Sequence, residues 1–423
     1  MKILVTSDWH LGNLFHGNDR LPEHRHFLAW LLERLAAVQP DALLIAGDIF
    51  DNGNPSAAAQ TAYYDFLARA TEACPAMHII ITAGNHDSAN RLEAPRPLLE
   101  QHRVDVRGWV RRTWVPATPD VSGHYVIDYD DLMIPIDSAD GTEHAVVLAV
   151  PYLRSDIITC DSYSQGVNDL LRTLTQRASA KFPDCMLVMM AHMYATGAAI
   201  AKDSSERIVV GGQEQVNLED WGVRPHYLTC GHIHRRQHIW DTDWARYTGS
   251  VLPMSFAERN YHHGVDLVTL SAGSRPKVEF LEYHPQHPLV SLPAEGAAKM
   301  RELLKLIGQL PDREADALSD HACYLELKFE SAAVKADDRA TIERALDGKD
   351  AIISRLMQVL PQLQVEAMAA SDTFASLDDV LNRDPMEALK ECFEVINGAK
   401  VNEHQQQLLA EVVKNVTNDD SEL

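Results

Sequence analysis

Five short apolar runs in the first 234 residues each end in a cassette of Asp, Asn, His and Gly, and this restricts the chain to few folds. The cassettes are Asp8-Trp9-His10, Gly47-Asp48-Ile49-Phe50-Asp51, Gly84-Asn85-His86-Asp87, Ala191-His192 and Gly231-His232-Ile233-His234. The runs before them, at 2–7, 42–46, 78–82, 186–191 and 227–230, are short and β-branched, as buried strands are. Between the first three lie helical patterns. Leu28, Leu31, Leu32 and Leu35 recur at helical spacing and end near Pro40, and Asn54-Pro55 reads as the cap and first turn of a helix reaching about Ala73. Strand–helix–strand alternation predicts a βαβ start and a layered α/β core. The cassettes then fall at the C-terminal ends of strands, where open α/β sheets gather ligands. Runs at 145–150, 246–251, 264–270 and 277–283 read as further strands of the same domain.

Carboxylates, imidazoles and one amide suit two divalent cations of intermediate hardness. Holding two such ions at roughly 3.5–4 Å needs a shared carboxylate against their repulsion, and Asp48 is the natural bridge. Asp8, His10 and His234 complete one site; Asn85, His192 and His232 complete the other. Residues two apart in a chain leaving a strand point to the same side, so D-x-H and H-x-H each deliver two ligands from one loop. Gly47, Gly84 and Gly231 permit the close approach of backbone to a small ion. Water between two such ions loses a proton near neutral pH and attacks phosphorus in line. His86 neighbours a ligand without being needed as one, and could protonate the departing ester oxygen. Asp87 could orient the His86 ring or only fix the loop, and Asp51 stands close enough to tune the bridge. Each cassette alone occurs often by chance in a chain with 20 histidines. His24, His26, His262 and His263 accordingly read as ordinary surface or packing residues. The joint order of all five cassettes, each after a strand, is what carries the metal reading.

Charge complicates the choice of substrate. The net charge is −23. From residue 301 onward 13 Lys+Arg face 25 Asp+Glu, a balance of −12 that leaves −11 for residues 1–300. Free nucleic acid would be repelled by the average surface, so a nucleic-acid substrate calls for a basic partner or a local basic rim. The six cysteines are scattered with no C-x-x-C pair, which predicts a reducing compartment rather than a disulfide frame or zinc knuckle. Cys230, beside Gly231, reads as a small buried residue ending a strand. Residues 1–7 enter a strand without a signal-peptide pattern, and no apolar run approaches the roughly 20 residues of a membrane helix. The expectation is a cytoplasmic protein with no membrane contact.

Composition changes near Pro285, where His284-Pro285-Gln286-His287-Pro288 reads as a linker. Beyond it come a helix at about 295–308, a period-two strand at 324–329 and a helix around 338–347, a small α+β module without evident ligands. A second break at Ala369-Ala370-Ser371 precedes helical stretches at about 385–396 and 402–416. Met386, Leu389, Phe393 and Ile396 stripe the first; Leu408, Leu409, Val412 and Val416 stripe the second. Stripes this short need something to pack on, either this chain or a partner. The expected division is 1–284, 285–370 and 371–423.

Taken together, the cassettes resemble the calcineurin-like metallophosphoesterase superfamily, whose pattern is D-x-H, G-D-x-x-D, G-N-H-[DE], H and G-H-x-H. Within it the chain is most similar to the SbcD family of bacterial nuclease subunits. That similarity rests on Ser7–Gly12, Ala46–Asp51, Ala83–Ser88, Gly231–Arg235 and the non-metal stretch Gly249-Ser250-Val251-Leu252-Pro253-Met254-Ser255-Phe256. The resemblance implies a four-layer α/β/β/α core, a capping domain and C-terminal helices. It implies two divalent ions, manganese ahead of magnesium, and a DNA nuclease with double-strand 3′–5′ exonuclease and single-strand or hairpin endonuclease activity. It further implies a homodimer within a heterotetramer with an SMC-like ATPase of the SbcC type, gripped by the terminal helices. Archaeal members carry histidine where this chain has Asp51, a position associated with phosphate contact. Arg91, Arg235 and Arg236, near ligand loops, are candidates to hold the DNA backbone instead; the alternative is that they are solvated surface arginines.

Three other readings share parts of this pattern. A phosphoprotein phosphatase would carry Arg and Glu where Asn52 and Asp87 stand. A small-molecule phosphodiesterase would share the metal set without needing the 140 residues after 283. A metal-dead scaffold would not keep every ligand.

Overall fold

The computed structural model describes residues 1–117, 122–155, 157–158, 162–199, 216–218, 222–240, 242–314, 317–331, 336–359 and 405. In chain order the first sheet draws on β1 (Lys2–Thr6), β2 (Ala42–Ala46), β3 (His78–Thr82) and β4 (Val104–Arg107). The second draws on β5 (Met133–Asp137), β6 (His144–Ala149), β7 (Met186–His192), β8 (Tyr227–Gly231), β9 (Gln237–His238) and β10 (Ala245–Tyr247). Strands β11 (His263–Thr269) and β12 (Lys277–Tyr283) return to the first sheet, giving the orders β12-β11-β1-β2-β3-β4 and β9-β10-β8-β7-β6-β5. Strands β1 to β4 run parallel, as do β6, β7, β8 and β10, so their C-terminal ends collect along one edge of each sheet.

Period-two alternation builds the layers. Leu4, Leu43, Ile45, Ile79 and Ile81 point outward against α1 (Leu21–Val38) and α2 (Ala57–Ala73), where Leu28, Leu31, Leu35, Tyr63 and Phe66 cover them. Their neighbours Ile3, Val5, Leu44 and Ile80 point the other way and meet Ala145, Val147, Val188 and Met190 between the two sheets. Val146, Leu148 and Met189 face outward from the second sheet onto Val167, Leu171 and Leu174 of α3 (Tyr163–Lys181). A strand apolar on both faces is what this double covering requires.

Local differences from the sequence expectations have identifiable causes. The cap of α2 is Ser56, whose Oγ accepts from the Ala59 N–H, rather than Asn54. The run 246–251 keeps strand geometry only at Ala245–Tyr247, because Gly249 turns with φ +83° against the carbonyl of His234. Helix α3 has no counterpart among the sequence expectations. Its stripe of Val167, Leu170, Leu171 and Leu174 is diluted by Gly166, Thr173 and Thr175, which are weak helix formers. Among the described residues Cys74, Cys185, Cys230 and Cys323 are free thiols, and Cys230 is fully buried in β8. No helix among them is long and apolar enough to cross a membrane.

Beyond residue 284 a separate parallel sheet forms from β13 (Leu289–Leu292), β14 (Cys323–Glu330) and β15 (Ala351–Val359). One face, with Leu325, Leu327 and Phe329, packs on α4 (Met300–Gly308) and α5 (Ala336–Leu346). From the opposite face Tyr324 joins Phe15 and Phe256 in a small apolar cluster. The Tyr324 hydroxyl donates to Glu23 at 3.2 Å, and Glu23 pairs with fully buried Arg20 at 2.7 Å. Arg20 also donates to the Pro253 carbonyl. The period-two strand expected at 324–329 is therefore covered on both sides. The helical stretches expected at 385–396 and 402–416 lie, apart from Gln405, outside the described residues.

Candidate metal centre

All five cassettes meet on the C-terminal edge of the two sheets. Asp8 and His10 follow β1, Asp48 follows β2, Asn85 and His86 follow β3, His192 ends β7, and His232 and His234 follow β8. Asp8, His10 and Asp48 take the left-handed backbone region, with φ of 51°, 48° and 51°. Non-glycine residues held there carry strain that neighbouring contacts must offset. Main-chain bonds from Asp8 N to Gly47 O and from His10 N to Asp48 O, both 3.0 Å, supply part of that. Gly84 and Gly231 are needed for contact between loops. A Cβ on Gly84 would overlap the Asp48 carboxylate and amide, and one on Gly231 would overlap the Ala46 carbonyl.

Three overlapping groups of ligand atoms lie within 4.8 Å of one another: Asp8, His10 and His234; His10, Asp48 and His86; Asp48, His192 and His232. Asn85 joins the last group, its Oδ1 3.0 Å from His192 Nε2 and 2.9 Å from His232 Nδ1. Asp48 belongs to the second and third groups, facing His10 at 3.7 Å and His192 at 3.2 Å. Asp8 accepts from Ser7 Oγ at 2.5 Å and from the His232 N–H at 2.9 Å, which tie β1 to the loop after β8. His192 donates through Nδ1 to the Ala46 carbonyl at 2.9 Å, leaving Nε2 aimed at Asp48, 3.2 Å away.

The electrostatics of the cluster follow from this crowding. Burial alone would raise the Asp48 carboxyl, yet His192, His10 and His86 hold it well below the usual range. Burial likewise opposes a charged His192, but Asp48 and then Asp8 lift it to about 9. His232 moves the other way, to about 3, through burial and the neighbouring His192. A protonated imidazole cannot ligate a cation, so metal entry beside the raised His192 is coupled to loss of its proton. His10 Nε2 is buried without a hydrogen-bond partner, 3.7 Å from Asp48 Oδ2. A buried imidazole nitrogen left open beside a carboxylate fits a metal ligand, and the donor set suits divalent ions.

Of the two roles open to Asp87, the contacts are those of the loop-fixing one. Asp87 does not orient His86. Its carboxylate accepts from the amides of Ile49, Phe50 and Gly84 at 3.1, 2.9 and 2.9 Å, stapling two cassettes together. Burial and the charge of Asp48 raise it to about 6 despite these bonds. The His86 ring instead engages the Asp51 carbonyl, at 2.8 Å from Nδ1. The Asp51 side chain faces His10 Nδ1 at 3.6 Å and accepts from Asn13 at 2.8 Å, so its influence on Asp48 runs through His10. Arg91 and Arg235 are exposed, the first bonded to Asn54 at 3.0 Å and the second over the Tyr261 ring. Arg236 is committed to the buried carboxylate of Asp266, with Nε at 2.8 Å and a terminal nitrogen at 2.7 Å. Sequence reasoning passes over Glu258, which is fully buried beside His234. Its one signal is position, two residues past the Gly249–Phe256 stretch.

The calcineurin-like phosphoesterase family profile matches residues 1–236, the span that holds every cassette. The chain is 36% identical over 325 residues to the SbcD component of the SbcCD nuclease of Rhodobacter capsulatus, covering 74% of this chain and 77% of that one. Against the Escherichia coli K12 protein of the same name it is 33% identical over 316 residues, covering 72% and 73%. For the Bacillus subtilis protein the figures are 30% over 298 residues, 69% and 71%. These matches and the assembled cluster make the chain a hydrolase of phosphodiester bonds, and it belongs to the calcineurin-like phosphoesterases and, within them, to the SbcD family of SbcCD nuclease components.

Proposed function

We propose that this chain is the manganese-dependent nuclease subunit of a DNA-processing complex, cutting double-stranded ends 3′ to 5′ and nicking single strands and hairpins. The observation that carries this reading is the convergence of seven ligand residues, Asp8, His10, Asp48, Asn85, His192, His232 and His234, about one shared carboxylate. Asp8, His10 and His234 would hold one ion, Asn85, His192 and His232 the other, with Asp48 common to both. When bound, two divalent ions place positive charge on the phosphodiester and lower the pKa of water.

The chain's own groups then do the remaining work. Asp87 locks the loops, and the Ala46 carbonyl fixes the His192 ring so that Nε2 faces the site. His86 gives its Nδ1–H to the Asp51 carbonyl, which turns Nε2 towards the open side. With Nε2 also protonated, the ring hands that second proton to the leaving oxygen and returns to the neutral Nδ1–H form, the general-acid role.

The relatives' names, each a subunit of an SbcCD nuclease, support a reading with a partner subunit. An SMC-like ATPase of the SbcC type would associate through residues 371–423, in a heterotetramer with two copies of this chain. Residues 285–370 would act as a cap, seated by Tyr324 and Phe256 beside the metal loops. The test is digestion of a labelled hairpin duplex with manganese, with and without the cognate ATPase. Cleavage that needs manganese is expected. Absence of cleavage in both arms, alongside turnover of a cyclic nucleotide, would overturn the assignment in favour of a small-molecule phosphodiesterase.

A further inference from the structure

We infer that Glu258 is the positioning residue for His234 and sets the affinity of the ion held by Asp8, His10 and His234; the inference rests on the two-metal reading above. His234 Nδ1 lies 3.3 and 3.4 Å from the two carboxylate oxygens of Glu258, which is 0% exposed. A ring that gives its Nδ1–H to a carboxylate is fixed in the tautomer whose Nε2 lone pair can take a metal, and is made a stronger base. The carboxylate is itself held. The Met254 amide donates to it at 2.8 Å and the Ser255 hydroxyl at 3.2 Å. Both come from the Gly249–Phe256 stretch, which supplies no metal ligand.

The two halves of the centre are thereby unequal. In the Asp8 group, His10 faces the Asp51 carboxylate and His234 faces Glu258. In the other group, His192 leans on the neutral Ala46 carbonyl, while His232 Nδ1 faces its fellow ligand Asn85 and so has no carboxylate shown behind it. A carboxylate behind an imidazole makes it a more electron-rich ligand, so the ion at Asp8, His10 and His234 is the one sensitive to Glu258.

The experiment is calorimetric titration of the full chain with MnCl2, for wild type, Glu258→Gln and Glu258→Ala, with melting of each metal-free protein in EDTA. Wild type binds two ions. In Glu258→Gln, which keeps size and shape, one affinity falls roughly 10- to 100-fold while the other holds, and metal-free melting is unchanged. Glu258→Ala lowers the same affinity at least as far. If wild type binds two ions and Glu258→Gln binds both unaltered, Glu258 has no such role. A fall in metal-free melting of Glu258→Gln that accounts for its weaker binding also overturns the inference, since it marks a structural carboxylate. Fewer than two ions on the wild type sinks the two-metal reading instead.

Discussion

His86 Nδ1 lies 2.8 Å from the main-chain oxygen of Asp51, so the loop after β2 aims the side chain delivered by the loop after β3. A carbonyl can only accept, which places a proton on Nδ1 and turns Nε2 to the substrate. His86→Asn should therefore lower the rate of hairpin cleavage about 10²- to 10⁴-fold while two manganese ions still bind. Rate and metal stoichiometry measured on the same preparation check this. Loss of an ion together with the rate would make His86 a ligand instead.

Gly84→Ala should be among the most damaging small substitutions in the chain. The added methyl overlaps both the carboxylate and the amide of Asp48, the ligand proposed as shared. Opening that contact separates the loops after β2 and β3. The expected loss of stability is on the order of 1–3 kcal/mol, with manganese affinity falling at both sites. Urea unfolding and metal titration provide the measurements, and unchanged affinity would show that the loops can part without disturbing the ligands.

The exposed arginines should divide by their partners. Arg235→Ala should weaken DNA binding by the complex and reduce the slope of log affinity against log salt by about 1. Arg236→Ala removes the guanidinium from fully buried Asp266. Since Arg236 is itself partly solvated, a loss on the order of 2–3 kcal/mol is expected in stability, with the salt slope unchanged. Fluorescence anisotropy across a salt series separates the two effects; a reduced slope in Arg236→Ala would place that residue on DNA.

His24 gives a pH signature. It is fully enclosed on α1, and burial, then Arg20 and His10, hold its ring down at about 3. In the unfolded chain it titrates near the ordinary value of about 6.5, so between these values the unfolded state binds the additional proton. The stability contributed by neutral His24 is complete above about pH 6.5 and is lost as pH falls towards 3. For one such group the slope is roughly 1.4 kcal/mol per pH unit. Urea midpoints of the chelated protein from pH 7 to 5 should fall, and His24→Leu should flatten the fall. An equal slope in the variant would show that other groups dominate.

Much of the fold is legible without coordinates because its signals are local. Strands β2, β3 and β12 match the expected runs 42–46, 78–82 and 277–283, since a buried strand announces itself in a handful of contiguous residues. The seven proposed ligands are legible for the same reason. Each stands within a few residues of a strand end, and the parallel connections carry those ends to one edge. What the local pattern cannot hold is the identity of partners. Sequence adjacency leaves Asp87 open between orienting His86 and fixing the loop, and the choice is made by bonds that reach Ile49 and Phe50, 38 and 37 residues away. The Arg236 partner is 30 residues distant, the Glu258 partner of His234 is 24, and Tyr324 finds Glu23 across 301. Sequence alone determined which side chains stand at the strand ends; tertiary packing decided which neighbour holds each of them, because a hydrogen bond depends on separation in space and not along the chain.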